Sequence, residues 1–195
     1  MSFKKNKYVV IKKAVSKEVI NFLKDYFILK RRVAWTLFDQ NHINQFSQDY
    51  GRFGDGQVPN TYAHYGDVAA EVLLSKLKPL MEKETKLKLV ETYTYMRAYK
   101  NGDVLKKHRD RKSCEVSCTL NVGGDLWPIF ADGKKIILKP GDILIYKGCE
   151  IEHWREPFLG EVCIQIFLHY NEDKPNAQIY DNRIHLGLPD YTKNN

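Results

Sequence analysis

Residues 93–170 read YTYMRAYKNGDVLKKHRDRKSCEVSCTLNVGGDLWPIFADGKKIILKPGDILIYKGCEIEHWREPFLGEVCIQIFLHY, and the punctuation of this stretch decides the fold. Short runs rich in Val, Ile, Thr and aromatic residues are separated by turn residues: Asn101-Gly102-Asp103, Gly123-Gly124-Asp125, Ala131-Asp132-Gly133-Lys134 and Pro140-Gly141-Asp142. The result is about eight strands at roughly 8- to 12-residue spacing, the pattern of an antiparallel sandwich or barrel. Helical spacing is nearly absent. A jelly roll packs two such sheets together, which removes most exposed edges and leaves room for a small interior pocket.

Within this stretch, KKHRDRKS carries His108 and Asp110. On an extended segment residues i and i+2 face the same way, so an imidazole and a carboxylate stand side by side. A third group must come from elsewhere, and His153, 43 residues after Asp110 in CEIEHWREPF, is the candidate. Two imidazoles and one carboxylate on one side of a metal leave the opposite side open, which suits iron(II) that binds a co-substrate and oxygen. The folded chain must therefore bring an early and a late strand together.

At these residues the chain resembles the iron(II)- and 2-oxoglutarate-dependent dioxygenase superfamily, and within it the prolyl 4-hydroxylase-like branch. The resemblance covers residues 89–170 strongly and the N-terminal helices loosely. Beyond H-x-D and the late His, it rests on Tyr99 nine residues before His108, the PGD turn before ILIYKG, and the closing strand QIFLHY. It implies that His108, Asp110 and His153 hold Fe(II) and that Tyr99 hydrogen-bonds 2-oxoglutarate. Oxidative decarboxylation of that co-substrate with O2 then hydroxylates an aliphatic C–H bond, with ascorbate a candidate stimulant. A prolyl or other peptidyl side chain is the best reading of the substrate, a small molecule the next.

Relatives of that superfamily usually place a cation about ten residues after the late His, to pair with the far carboxylate of 2-oxoglutarate. Here the neighbourhood is Glu161-Val162-Cys163-Ile164-Gln165, without one. A buried dicarboxylate without a cation forgoes a charge-assisted bond of about 1.5–3 kcal/mol, so another base is expected to substitute. Arg97 shares a strand face with Tyr95 and Tyr99; Arg155 stands two residues after His153; Gln165 can add a neutral hydrogen bond. Arg97 is slightly favoured over Arg155, and either could instead pair with Glu91 or Glu156. Two rivals stand beside this reading. A nucleic-acid demethylase of the same superfamily is expected to show paired arginines after the late His, whereas no Arg follows Arg155 until Arg183. A non-redox, cupin-like metal-binding module gives no reason for Tyr99 and an inward Arg.

The remaining candidates have plainer readings. His42, His64, His169 and His185 are read as surface or satisfied groups. Trp127 and Trp154 are read as core or pocket wall, and Arg111 either orients a metal ligand or faces solvent.

The chain is expected to form one domain: 1–88 supporting helices and lid, 89–170 jelly-roll catalytic core, 171–195 surface tail. Tyr8-Val9-Val10-Ile11 reads as a strand. Ser16 is an N-cap for a helix with Val19, Ile20, Leu23 and Phe27 on its packing face, closed by Lys30-Arg31-Arg32. A second helix after Asp67 carries Val72, Leu73, Leu77, Leu80 and Met81, with Pro79 kinking or dividing it. Both are predicted to cover one sheet. Residues 33–66, rich in Asn, Gln, Gly and aromatics, suit a lid that closes over substrate. The tail, including Lys174-Pro175-Asn176 and Leu186-Gly187-Leu188-Pro189, is expected to wrap the surface and fray.

With 195 residues, 43% hydrophobic, the chain can bury an ordinary core. No apolar run approaches a membrane span and MSFKKNKYVV lacks a signal-peptide core, so a cytoplasmic protein is expected. Cys114, Cys118, Cys149 and Cys163 include no C-x-x-C pair and suggest reduced thiols rather than a zinc site. The net charge of +7, with Lys4, Lys5, Lys7, Lys12 and Lys13 clustered early, could attract nucleic acid, but stacking motifs for it are absent and it is not favoured.

Overall fold

A computed structural model describes residues 3–44 and 47–175. In chain order the elements are α1 (Phe3–Asn6), β1 (Tyr8–Ile11), α2 (Lys17–Asp39), β2 (Arg52–Phe53), β3 (Tyr62–Tyr65), α3 (Val68–Thr85), β4 (Leu89–Lys100) and β5 (Leu105–His108). After a 3-10 turn at Lys112–Cys114 follow β6 (Val116–Gly124), β7 (Ile129–Ala131), β8 (Lys134–Ile136), β9 (Ile143–Lys147), β10 (His153–Arg155) and β11 (Val162–Glu172). The strands form a seven-stranded sheet, β1-β9-β6-β11-β4-β3-β2, and a four-stranded sheet, β5-β10-β7-β8, with every pairing antiparallel. This is the expected jelly roll, and the eight strands read from residues 93–170 are β4 to β11.

Strict alternation gives the large sheet two different faces. On β11, Ile164, Ile166, Leu168 and Tyr170 point to the helices and join one apolar core with Met96, Ala98, Leu120, Ile145 and the helix residues Leu23, Phe27, Leu74 and Met81. Its other face, carrying Cys163, Gln165, Phe167 and His169, looks into the barrel with Tyr93, Tyr95, Arg97 and Tyr99 of β4, against which it pairs in register. Both long helices cover the same sheet, as predicted. Tyr170 closes the bargain between layers by donating from its hydroxyl to the Leu74 carbonyl at 2.6 Å.

Several boundaries differ from the sequence reading. Helix α2 runs past Lys30-Arg31-Arg32 to Asp39, because no breaker interrupts VAWTLFD and Ala34 is buried; left-handed Asn41 ends it. Val19 and Val72, expected on packing faces, are 42% and 56% exposed, since the buried stripes fall one position away, on Ile20 and Leu73. Helix α3 accommodates Pro79 without dividing, capped by the Asp67 carboxylate on the amides of Ala69 and Ala70. The segment 33–66 is not one long loop: its ends belong to α2 and to β3, which pairs with β4. The predicted wrapping of residues 176–195, His185 among them, lies outside the described residues. Among the described residues no helix is long and apolar enough to cross a membrane.

Candidate functional site

His108 and His153 come together because β5 and β10 pair with these two residues directly opposite each other. Their rings lie 4.2 Å apart, centroid to centroid. Asp110 is not on the strand, as the extended-segment argument assumed, but just past its end, where its amide donates to the Gly148 carbonyl at 2.8 Å. Gly148 is required for that approach: a Cβ there would sit 2.3 Å from both Asp110 Oδ2 and the Cys114 carbonyl. Asp110 Oδ1 then lies 3.7 Å from His108 Nε2 and 3.4 Å from His153 Nε2.

The protons on these groups follow from their partners. His108 Nδ1 faces the Lys106 carbonyl at 2.7 Å and His153 Nδ1 faces the Ile151 carbonyl at 3.1 Å. A carbonyl only accepts, so each Nδ1 carries hydrogen and each neutral ring turns its Nε2 lone pair toward Asp110. Burial, then the neighbouring His153 charge, lowers the His108 pKa and favours that neutral ring. Burial pushes the Asp110 carboxyl up, but the hydrogen bond and charge of His153, with His169 and Ser117, hold it at about 2. Lone pairs thus converge on one point, an arrangement that a metal cation fits. The three residues offer ligand atoms within 4.8 Å of one another. Cis ligands of a metal with bonds of about 2.1 Å lie roughly 3 Å apart, so the three groups would have to draw together to hold an ion.

A second layer fixes the carboxylate. Ser117 Oγ donates to Asp110 Oδ2 at 2.6 Å and accepts from His169 Nδ1 at 3.0 Å. His169, read from the sequence as a bland group, is buried and stacked on Tyr93 with centroids 4.4 Å apart. His64, by contrast, is satisfied by Asp67. Trp127 is core rather than pocket wall, edge-on to Tyr99 at 4.8 Å, and Arg111 lies over the Tyr93 ring at 5.0 Å.

The three groups open on a cavity of about 410 Å³. It is lined by the Tyr93, Tyr95, Arg97 and Tyr99 face of β4, by Phe167 and His169, and by a strap, residues 52 and 55–57, that lies within the segment read as a lid but whose individual residues were not singled out. Asp55 Oδ1 takes the amides of Gln57 and Val58, which shapes the strap, while Oδ2 accepts from Tyr95 and pairs with the Arg97 guanidinium. Gln57 accepts from Arg97 at 3.0 Å through Oε1 and reaches His108 Nε2 at 3.2 Å through its amide nitrogen. The only sequence signal was the turn chemistry of GDGQVPN.

The two arginines differ sharply. Arg97 is buried and bonded to Tyr99 at 3.1 Å as well as to the strap. Arg155, 1% exposed, donates to the Trp127 carbonyl and to Gln165 Oε1 at 3.2 Å, and lies over the Trp127 ring. Among the described residues no carboxylate pairs with it, and its Nε has no partner. Burial pushes its pKa down. Tyr99 lines the cavity and packs on the same Trp127 that Arg155 covers, whereas Arg155 itself is not part of the cavity lining.

No protein-family model matches the sequence, and no curated protein matches it. Solved structures do. A prolyl-4-hydroxylase from Pseudomonas putida aligns with a TM-score of 0.61 at 16% identity, over 88% of this chain and 96% of that one. HygX from Streptomyces hygroscopicus, with nickel and 2-oxoglutarate bound, aligns at 0.62 and 10% identity over 96% and 91%. The fold is that of the iron- and 2-oxoglutarate-dependent oxygenases. A prolyl hydroxylase of Trichoplax adhaerens, in complex with a hypoxia inducible factor peptide fragment, is a further example (TM-score 0.59, 14% identity, 88% and 86% covered). At these identities the likeness is one of fold, and substrates vary on a shared fold.

Proposed function

We propose that this protein is an iron(II)- and 2-oxoglutarate-dependent oxygenase that hydroxylates an aliphatic C–H bond, and that residues 3–175 act as one catalytic unit. The observation that carries the reading is the convergence of His108 Nε2, His153 Nε2 and Asp110 Oδ1, unshared with any proton donor but Gln57, inside this fold. These three groups would hold the metal. When bound, iron(II) with 2-oxoglutarate and O2 supplies the oxidising power, 2-oxoglutarate leaving as succinate and CO2.

The chain's own part is orientation. The Lys106 and Ile151 carbonyls fix both imidazoles in the ligating tautomer, and Ser117 keeps Asp110 Oδ2 occupied so that Oδ1 faces inward. Gln57 must release His108 Nε2 when metal arrives, and its contact with Arg97 keeps the freed amide at the site. The aromatic wall of Tyr93, Tyr95, Tyr99 and Phe167 limits water.

For the far carboxylate of 2-oxoglutarate the structure favours Arg155, with Gln165 and Tyr99, over the Arg97 preferred on strand-face grounds. Arg97 already carries a carboxylate, Asp55. Arg155 is a buried cation still lacking one, and an uncompensated buried charge costs several kcal/mol that an incoming carboxylate would offset. A prolyl or other peptidyl side chain remains the proposed substrate, supported by the two prolyl hydroxylases of like fold. The strap 52–58 and the preceding residues are the proposed lid. Four free cysteines, three of them buried, support a reducing, cytoplasmic workplace.

The direct test is succinate formation from 2-oxoglutarate with iron(II) and ascorbate. Turnover by the wild type, and its loss in His108→Ala, Asp110→Ala and His153→Ala, is expected. Undiminished turnover in any one of these removes that residue from the metal.

A further inference from the structure

The charges around the cavity point to the chemistry of what it accepts. Arg52, Arg97, Arg109 and Arg111 line it, against two acids, Asp55 and Asp110. Asp110 belongs to the metal group, and Asp55 is spent on Arg97. Filling the site, on the reading given above, adds an iron(II) dication and a 2-oxoglutarate dianion, which cancel. Among the described residues of the lining, the charges of Arg52 and Arg109 remain in excess, with no carboxylate paired to either. Focused by low-dielectric walls, such an excess attracts anions and disfavours neutral or cationic ligands.

The excess is localised. Arg109 is exposed and makes no hydrogen bond or ion pair among the described residues, although it stands between two of the metal-group residues. Arg52 is half-buried at the start of the strap, and among the described residues its side chain makes one hydrogen bond, a long one of 3.4 Å to the Tyr95 hydroxyl. Arg111 adds a third guanidinium over Tyr93. Beneath them lies an aromatic floor in which Tyr65 stacks on Tyr93 at 4.9 Å and meets Tyr95 edge-on. Two guanidiniums, Arg52 and Arg109, with no carboxylate paired to either among the described residues, form with the aromatic residues of the same cavity a seat for an oxyanion.

We infer that the substrate bears an anionic group, a carboxylate or a phosphate, which Arg52 and Arg109 hold at the cavity mouth while the C–H bond to be oxidised reaches the metal. The inference deepens the oxygenase reading and rests on it. A peptide with an acidic residue beside its target side chain carries this chemistry, and so does a free small acid.

The test has two arms on the full chain. In the first, inorganic phosphate is titrated calorimetrically, with and without iron(II) and 2-oxoglutarate under anaerobic conditions, into wild type, Arg52→Gln, Arg109→Gln and Arg109→Lys. Saturable binding weakened roughly 10-fold or more in each Gln variant, and largely restored by Arg109→Lys, is expected from the loss of one charge-assisted contact. Absence of saturable binding, or wild-type-like binding in either Gln variant, overturns the proposal. In the second arm, loaded enzyme meets proline peptides flanked by Glu or by Gln, and small carboxylic acids or their amides. Succinate above the substrate-free background in the acidic member of a pair supports the proposal and says which source supplies the anion; equal or better response to the neutral members sinks it. If iron(II) and 2-oxoglutarate fail to bind at all, the oxygenase reading falls by a separate readout, the loading step itself.

Discussion

Arg97 and Arg155 are two guanidiniums sunk in one barrel, 3% and 1% exposed, yet one has its counter-charge built in and the other does not. Around Arg97 the chain supplies Asp55, Tyr95, Tyr99 and Gln57, so its charge is paired before any ligand arrives, although its Nε, like that of Arg155, has no hydrogen-bond partner among the described residues. Around Arg155 it supplies only a carbonyl, a carboxamide and an indole face. On the function proposed above, the difference would separate a structural cation from one that receives the co-substrate. A charge satisfied internally fastens the strap to β4, whereas a charge left unsatisfied raises the energy of the free protein and is compensated when a carboxylate binds.

Stability should divide the two regions most widely. Asp55→Ala or Arg97→Met leaves one member of a buried pair alone and is expected to cost about 3–5 kcal/mol in urea unfolding. Arg155→Met removes a charge with no carboxylate paired to it and is expected to stay within about 1 kcal/mol of wild type or to stabilise; a loss as large as that at Arg97 would erase the distinction. Co-substrate affinity should show the opposite order. Arg155→Met is predicted to weaken 2-oxoglutarate binding roughly 10- to 150-fold, the equivalent of about 1.5–3 kcal/mol, and a larger effect in Arg97→Met would return the anchoring role to Arg97. Gln165→Leu, which removes a neutral contact of Arg155, should weaken it only about 2- to 12-fold, for about 0.5–1.5 kcal/mol.

The smallest expected effect is on pH dependence. Burial pushes the Asp55 carboxyl up, but the Tyr95 hydroxyl and the Arg97 charge bring it below the usual carboxylate range. A folded-state pKa depressed in this way adds stability that is present above the unfolded value near 4 and lost as pH falls through the folded value. Wild-type stability should therefore decline below about pH 4 more steeply than that of Asp55→Asn, and parallel curves would mean that the strap latch contributes nothing through its charge.

The barrel and the three metal-facing groups were legible because their signals are local or periodic. Alternation along EVCIQIFLHY separates Gln165, Phe167 and His169 from Ile164, Ile166 and Leu168, and H-x-D falls at the end of one short strand. What stayed hidden is non-local. Asp55 meets Arg97 across 42 residues and Gln57 meets His108 across 51, from a segment with no repeat to read. Nothing in the sequence marks Ser117 or Gly148, because the need for both comes from the placement of Asp110 in the folded chain. Helix α2 outran its basic cluster because charged residues there end nothing unless a breaker follows. The partner of Arg155 could not be read at all, since a missing carboxylate is a property of the packed barrel.

The most direct measurement of the central claim is anaerobic calorimetry of iron(II), followed by 2-oxoglutarate, into the wild type and into His153→Ala. One iron(II) per chain is predicted for the wild type, with 2-oxoglutarate binding tightly only after the metal, and both events lost in the variant. Wild-type-like iron(II) binding by His153→Ala, or 2-oxoglutarate binding that ignores the metal, would contradict it.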